Sequence, residues 1–234
     1  KPSQTFIFDK DHSLMMATVL LGGKYTDFSA KGSKIVGTNP VRVMMKAGDD
    51  LRLRQWIEVV ITAGGNDVSP QESQEIFVAI QQLRQTPESR WRLAAIVAYI
   101  AGSNKKLAAK LAPYVDTSDD EDDILGKGAF APYFDNYDDN LELASLIAME
   151  CGGILENSRL ASPFMDYVFW SIEQRLDGTT PTMIYVEEAW YMLSNQAFAN
   201  KMEDWLRTFR KKRAFVVFAT QALDELARLP NIGS

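Results

Sequence analysis

Hydrophobic residues follow two different periods along this chain, and each period predicts a different kind of element. Short apolar or alternating runs between polar residues and glycines predict strands. These runs lie at residues 5–8, 24–28, 182–186 and 214–219. The runs at 182–186 and 214–219 are continuous, which is typical of strands buried on both faces of a parallel sheet.

Apolar residues at helical spacing predict helices between these strands. The helical patterns cover residues 14–21, 51–62, 69–83, 87–100, 104–111, 161–176 and 197–209. Ser69-Pro70-Gln71-Glu72 combines a serine cap, a proline at the first helical position and a glutamate that closes a capping box. Residues 33–50 are ambiguous, with an edge strand favoured at 41–45, and residues 140–150 show no clean period.

The predicted elements divide the chain into three segments. We expect an α/β core with a mainly parallel sheet, formed by residues 1–49 and 114–234, and an inserted all-helical sub-domain at residues 50–113. The acidic run at residues 116–123 lacks the spacing and the central glycine of an EF-hand calcium loop. A solvated loop is therefore the better interpretation of that run.

Composition excludes several classes of protein. The chain has 234 residues, of which 46% are hydrophobic, so it can bury a substantial core. Its net charge of −6 argues against a protein that binds nucleic acid over its whole surface, although a local basic patch is compatible with this charge. The single cysteine, Cys151, excludes an internal disulfide, and we interpret it as a core thiol. The single histidine, His12, argues against a Ser-His-Asp triad or a histidine-rich metal site.

The sequence contains neither a predicted membrane span nor a signal peptide. No run reaches the length of about 18 apolar residues that a spanning helix needs. Lys1-Pro2-Ser3-Gln4 leads directly into the first predicted strand. This abrupt start predicts that the chain was cut from a longer polypeptide.

The candidate chemistry lies where predicted strands end. Glu187 and Glu188 directly follow the strand at 182–186, and open α/β sheets bind ligands at the carboxyl ends of their strands. A nucleotide-hydrolysing site presents its acids in this way, one on the magnesium side and one that orients the attacking water. Thr220 and Gln221 follow the strand at 214–219, where a polar pair suits a γ-phosphate or water sensor. The plainer alternatives are a strand that ends in solvated acids and a strand that ends in a polar turn.

The helix at 197–209 ends in a cluster of cations, which comprises Arg207, Arg210, Lys211, Lys212 and Arg213. The helix dipole explains cations at this end in part. An arginine here could also reach a phosphate, of a nucleotide in a neighbouring subunit or of a nucleic acid. The sequence does not contain a phosphate loop, because Gly22-Gly23-Lys24 lacks the spacing of that motif and is followed by Tyr25.

Several stretches occur in an order that resembles the large conjugal-transfer and type IV secretion ATPase family, the CagE/TrbE/VirB type. They are Phe6-Ile7-Phe8-Asp9-Lys10-Asp11, Phe134-Asp135-Asn136, the strand and acids up to Ala189-Trp190, the basic run from Trp205 to Lys212, and Ala219-Thr220-Gln221. The resemblance covers nearly the whole chain. It implies a RecA-like P-loop NTPase core with an all-helical sub-domain, and an ATPase motor that energises substrate translocation and pilus assembly.

The resemblance also implies roles for single residues. Glu187 would be the Walker B acid on the Mg²⁺ side, acting through water, and Glu188 would be the catalytic acid, with Gln221 as the sensor. The remaining carried-over residues are Asp9, Asp11 and Thr220 near the nucleotide, and Arg207 or Arg210 acting on phosphate across a subunit interface. The implied cofactors are ATP and Mg²⁺. The implied partners are other subunits of the secretion apparatus and further copies of the chain in a hexamer, at the cytoplasmic face of the bacterial inner membrane, with membrane association through partners.

Two departures from the family pattern shape the expected activity. Glu187 stands where the family usually has aspartate, and the phosphate loop, which the family has shortly before the strand at 5–8, is absent. We therefore expect the 234-residue chain alone to bind ATP poorly and to hydrolyse none. Two alternatives stay open: a hexameric DNA-translocating ATPase with the basic run on DNA, and a non-catalytic docking module of the secretion apparatus.

Overall fold

The computed structural model describes residues 3–29, 31, 34–117 and 126–221. The chain forms two compact units, one made of Lys1–Gly32 and Leu143–Ser234 and the other of Ser33–Glu142. Most of the predicted acidic loop at 116–123 lies outside the described residues. Among the helices of the described residues, none is long and apolar enough to cross a membrane.

The first unit is built on a parallel sheet, which confirms the predicted fold class. Its described residues form five strands: β1 (Gln4–Asp9), β2 (Lys24–Asp27), β3 (Leu146–Glu150), β4 (Thr182–Val186) and β5 (Ala214–Phe218). The strand order is β2-β3-β1-β4-β5, and every pair of neighbours is parallel. All the strands therefore end at one edge of the sheet, which we call the carboxyl edge.

Helices connect these strands. Numbered along the whole chain, those of the first unit are α1 (Met15–Leu20), α8 (Gly152–Leu155), α9 (Ser158–Glu173), α10 (Ala189–Ser194) and α11 (Gln196–Thr208). An aromatic cluster joins β1 to α9 and α11, because the Phe8 ring lies 5.5 Å from the Phe169 ring and 5.1 Å from the Phe198 ring. Trp205 extends this cluster along α11, with its ring 4.7 Å from that of Phe169. Leu206, which the apolar pattern of this helix predicted on the same face, is 53% exposed. The other predicted residues of that face are buried: Phe198, Met202, Trp205 and Phe209.

Two predictions about the sheet differ from the structure. Strand β3 lies between β2 and β1, in a stretch for which the sequence predicted no element. Strand β5 was predicted to be buried, but it pairs only with β4 among the described strands, and Phe215 is 54% exposed. The continuous apolar run of β5 did not distinguish an edge strand from an interior one, because strand order is not a property of the run itself.

The second unit is helical. Its helices are α2 (Pro40–Lys46), α3 (Asp50–Ala63), α4 (Pro70–Arg84), α5 (Leu93–Ser103), α6 (Lys105–Leu111) and α7 (Ala131–Phe134). The capping box predicted at Ser69 is present, since the Ser69 hydroxyl accepts from Glu72 N and the Glu72 carboxylate accepts from Ser69 N. Buried residues of four of these helices form the core of this unit: Trp56, Ile80, Leu83, Ile96 and Leu107.

The predicted edge strand at 41–45 is wrong, because these residues belong to α2. The Asn39 side chain caps this helix by accepting from Arg42 N, and Pro40 occupies its first turn. Helix α5 also starts later than predicted, at Leu93, after a short 3-10 turn at Glu88–Arg90. The compact unit is wider at both ends than the predicted 50–113, because it includes α2 and α7.

Candidate functional site

Polar side chains follow each strand at the carboxyl edge. Asp9 ends β1, Asp27 ends β2 and Glu150 ends β3, while Glu187 and Glu188 follow β4. Gln221 lies three residues beyond the end of β5. The parallel topology therefore brings together residues that are far apart in sequence, as open α/β sheets do where they bind ligands.

Glu188 and Gln221 meet at this edge. Gln221 Nε2 donates to Glu188 Oε1 over 3.3 Å. Backbone hydrogen bonds beyond the strand ends cause this approach, because Ala219 N donates to Val186 O and Ala189 N donates to Ala219 O. Glu188 itself has a left-handed backbone, with φ of 45° and ψ of 56°, a conformation that is costly for a residue with a Cβ and recurs at functional sites.

Glu187 is partly buried and lies beside Tyr185. Its backbone N donates to Phe8 O over 2.9 Å, which continues the pairing of β4 with β1. Burial, and then a hydrogen bond to the Glu187 carboxylate, raise the pKa of the Tyr185 hydroxyl. The two adjacent acids thus have different neighbours: Glu187 contacts Tyr185, and Glu188 contacts Gln221.

Asp9 is fully buried, and its carboxylate organises the loop after β1. It accepts from Lys10 N, Leu14 N and the Ser13 and Tyr25 hydroxyls, at 2.6–3.3 Å. These donors use the acceptor positions that two carboxylate oxygens offer. Burial, followed by the bond to Asp9, raises the pKa of the Tyr25 hydroxyl. The contacts make Asp9 a structural residue of the loop, and they give no support to the predicted contact with a nucleotide.

Asp11 and Lys10 form an exposed ion pair on the same loop, with Lys10 Nζ 2.6 Å from Asp11 Oδ2. Lys10 Nζ also lies 4.8 Å from the centre of the Tyr191 ring. The hydrogen bond to Asp11 contributes most to the raised pKa of Lys10, and the Glu188 charge adds to it. Lys10 therefore brings a positive charge to an otherwise acidic edge, and the sequence pattern did not identify it as a site residue.

Glu150, buried at the end of β3, is a second residue of this edge that was not predicted from the sequence. Its carboxylate accepts from Gly152 N over 2.8 Å and from His12 N over 2.9 Å. The His12 ring lies 3.2 Å from Asp27 Oδ2, and this hydrogen bond is the main cause of its raised pKa. The apolar run from Leu146 that ends in an acid repeats the pattern of β4 and could have revealed this residue.

The basic run lies at the other edge of the sheet. Helix α11 leads from the carboxyl edge back to the start of β5, so Arg207 and Arg210 lie near the amino ends of the strands. Arg207 pairs with Glu203 at 2.5 Å, and Arg210 is exposed. Arg213 O accepts from Thr182 N, the first residue of β4. Within one copy of the chain, the structure thus separates these arginines from Glu188 and Gln221.

Glu187 is the described residue at this edge that could hold Mg²⁺. Magnesium is usually held by one or two carboxylates together with phosphates and water, and Glu187 suits that role. The described residues include no group of three His, Cys, Asp or Glu side chains that could cage a metal. The amides of the loop after β1 do not form a phosphate cradle, because Asp9 and Glu150 accept from them. Thr220 is partly buried beside Gln221.

Cys151 is a core thiol, as predicted. It is fully buried, and burial raises the pKa of its thiol well above the ordinary value, followed by the nearby charge of Glu150. Its Sγ lies 3.3 Å from Met149 O. A thiol in this state is a poor nucleophile, because the thiolate is the reactive form.

Comparison with known proteins finds relatives that all belong to one group of secretion and transfer proteins. No protein-family model matches the chain. The chain is 30% identical over 224 residues to the type IV secretion system protein virB4 of Bartonella quintana, covering 94% of this chain and 27% of that protein. It is 27% identical over 232 residues to the conjugal transfer protein TrbE of Rhizobium radiobacter, covering 97% of this chain and 26% of that protein.

A solved structure of VirB4 from Thermoanaerobacter pseudethanolicus has the same fold. It matches with a TM-score of 0.62 at 16% identity, over 99% of this chain and 65% of that one. The chain spans about a quarter of the length of the two curated relatives. The sequence motifs, the parallel sheet and these relatives agree, and the chain belongs to the VirB4/TrbE family of type IV secretion and conjugal transfer proteins.

Proposed function

We propose that this chain contributes to an ATPase motor that energises type IV secretion or conjugative transfer, including substrate translocation and pilus assembly. The observation that carries the proposal is the contact between Glu188 and Gln221 at the carboxyl edge, 3.3 Å apart. An acid and an amide that meet at the ends of neighbouring parallel strands can orient one water molecule that bonds to both beside their contact. The VirB4 and TrbE relatives support the biological setting.

In this proposal, ATP is the substrate and the two adjacent acids have separate tasks. Glu188 accepts a proton from the attacking water as the water oxygen bonds to the γ-phosphorus and the bond to the β–γ bridging oxygen breaks. Gln221 and Thr220 position the attacking water and the γ-phosphate, while Glu187 would hold Mg²⁺ through water. When bound, the ion would supply positive charge that neutralises the phosphates. Asp11 lies exposed at the same edge and is the remaining candidate for a contact near the nucleotide.

The arginines require a second copy of the chain in this proposal. Arg207 and Arg210 lie at the edge opposite Glu188, so they reach phosphate only from a neighbour in a ring such as a hexamer. We place the motor at the cytoplasmic face of the bacterial inner membrane, where it associates with the membrane through other secretion subunits. DNA contact by the basic run is the second candidate, and the net charge of −6 disfavours it.

The proposal is tested in the protein as naturally encoded with Glu188→Gln, which keeps the side chain's size but removes the base. Magnesium-dependent ATP hydrolysis should fall at least about 100-fold, because general-base catalysis contributes that much or more. Glu88→Gln, in the helical unit, is the matched control and should hydrolyse ATP at the unmodified rate. The 234-residue chain alone should show no turnover.

Two results would count against this function. Undiminished hydrolysis in Glu188→Gln would show that Glu188 is not the base. Secretion or conjugation that persists after hydrolysis is lost would favour the docking module over the motor.

A further inference from the structure

Trp190 contacts Glu188 directly. The indole Nε1 of Trp190 donates to Glu188 Oε2 over 2.7 Å. A hydrogen bond of this length is short for an N–H donor. The indole N–H can only donate, so the carboxylate oxygen is the acceptor of this bond.

Two side-chain donors from the described part of the chain reach Glu188, and they bond to different oxygens. Trp190 donates to Oε2, and Gln221 donates to Oε1 over the longer distance of 3.3 Å. Two donors on two oxygens fix the plane of the carboxylate, which would otherwise rotate freely. A carboxylate has about four acceptor positions, so two remain for water. The arrangement restrains Glu188 without using all of its acceptor positions.

Core packing does not explain the tryptophan. The buried residues of α10 are Ala189, Met192 and Leu193, whereas Trp190 is only partly buried. Its ring meets the neighbouring Tyr191 ring edge-on, at 5.9 Å. Trp190 lies in the first turn of α10, and that turn is anchored because Ala189 N donates to Ala219 O. The indole is therefore held on a fixed element beside the acid that it contacts.

We propose that Trp190 is a positioning residue that holds the Glu188 carboxylate in the orientation needed to activate water. The inference rests on the proposed ATPase function. Glu188 has a left-handed backbone, and its side chain forms no capping hydrogen bond with α10. The orientation of the carboxylate therefore depends on contacts with other side chains. Small misplacements of a catalytic group reduce rates strongly, by about 100-fold for 1 Å. Trp190 supplies that restraint, and Gln221 supplements it.

The test is Trp190→Phe in the protein as naturally encoded, which keeps an aromatic ring but removes the N–H donor. We expect kcat for ATP hydrolysis to fall about 10-fold to 100-fold, as when an outer partner of a site residue is lost. We expect KM and the thermal midpoint to change little, because in this proposal the indole acts through Glu188. Trp190→His keeps a ring N–H and should recover some of the lost kcat.

Trp205→Phe is a matched control, because the buried Trp205 donates from its Nε1 to Glu173 Oε1 over the same 2.7 Å. It should lower the thermal midpoint and leave kcat per folded molecule unchanged. If Trp190→Phe retains the unmodified kcat while Glu188→Gln abolishes hydrolysis, the inference fails and the proposed function stands. A kcat that falls only in proportion to lost folded protein also overturns it. Undiminished hydrolysis in Glu188→Gln overturns the function and this inference together.

Discussion

Asp135, from the Phe134-Asp135-Asn136 stretch of the family resemblance, is the residue on which several segments of the helical unit converge. Its side chain is fully buried, and Arg92 Nη2 lies 3.1 Å from Oδ2. The same carboxylate accepts from Ala94 N over 3.0 Å and from Asp116 N over 2.8 Å. A buried charge is tolerated only when it is paired and hydrogen-bonded. Asp135 meets this condition, because each of these groups donates to its carboxylate.

We predict that Asp135→Asn lowers the free energy of unfolding by about 3–5 kcal/mol, the cost of breaking a buried ion pair. The amide nitrogen of the new asparagine is a donor, and it would face the donors that now bond to Asp135. Arg92 would also lose its counter-ion. Asp138→Asn is the control, because Asp138 pairs with Arg42 while its side chain is 85% exposed. Its effect should stay within about 0.5 kcal/mol. Chemical denaturation measures both, and equal effects would contradict the role of Asp135 as a buried hub.

Among the elements, α4 shows how far local chemistry alone determines a boundary. Ser69, Pro70 and Glu72 fix the start of this helix through contacts within four residues, so the sequence predicted it correctly. Strand β3 shows the opposite case. Its five residues lie in a stretch without a clean hydrophobic period, and their pairing with β1 and β2 on either side defines them as a strand. The same dependence on neighbours left β5 at the edge of the described sheet.

We predict that Ser69→Ala lowers the free energy of unfolding of the helical unit by about 1 kcal/mol, because Glu72 N loses its acceptor. Ser69→Asp should restore the stability, since aspartate caps a helix as well as serine does. Thermal unfolding followed by circular dichroism compares the three proteins. If the alanine and aspartate variants were equally stable, the cap would not contribute at this site.

At the scale of the whole molecule, the chain consists of two units that each have a core of their own. The helical unit is an insertion, because the first unit is made of residues before and after it. Its two ends meet, since Asn140 N and Nδ2 both donate to Gly37 O, at 3.2 and 2.9 Å. When the two ends of an insertion are adjacent, the insertion can be separated from the rest of the chain without disturbing its own core.

We therefore predict that a polypeptide of Ser33–Glu142 alone folds into a helical domain. Its far-ultraviolet circular dichroism should be helical, and its thermal transition should be cooperative, because its buried residues pack on one another. The same polypeptide with Asp135→Asn should unfold at a lower temperature. A gradual transition with strong binding of a hydrophobic dye would show that the unit needs the rest of the chain.

The sequence by itself determined the α/β class, most of the helices and the strands that end in candidate site residues. These features arise from hydrophobic periodicity and helix capping. Both depend on residues that are close in sequence and not on where the segment lies in the fold. Only the tertiary structure decided that Glu188 meets Gln221 and Trp190, that Glu150 joins the same edge, and that the arginines lie at the opposite one. Those placements depend on the order of the parallel strands, which is set by pairing between distant segments and is not encoded in any single run of residues.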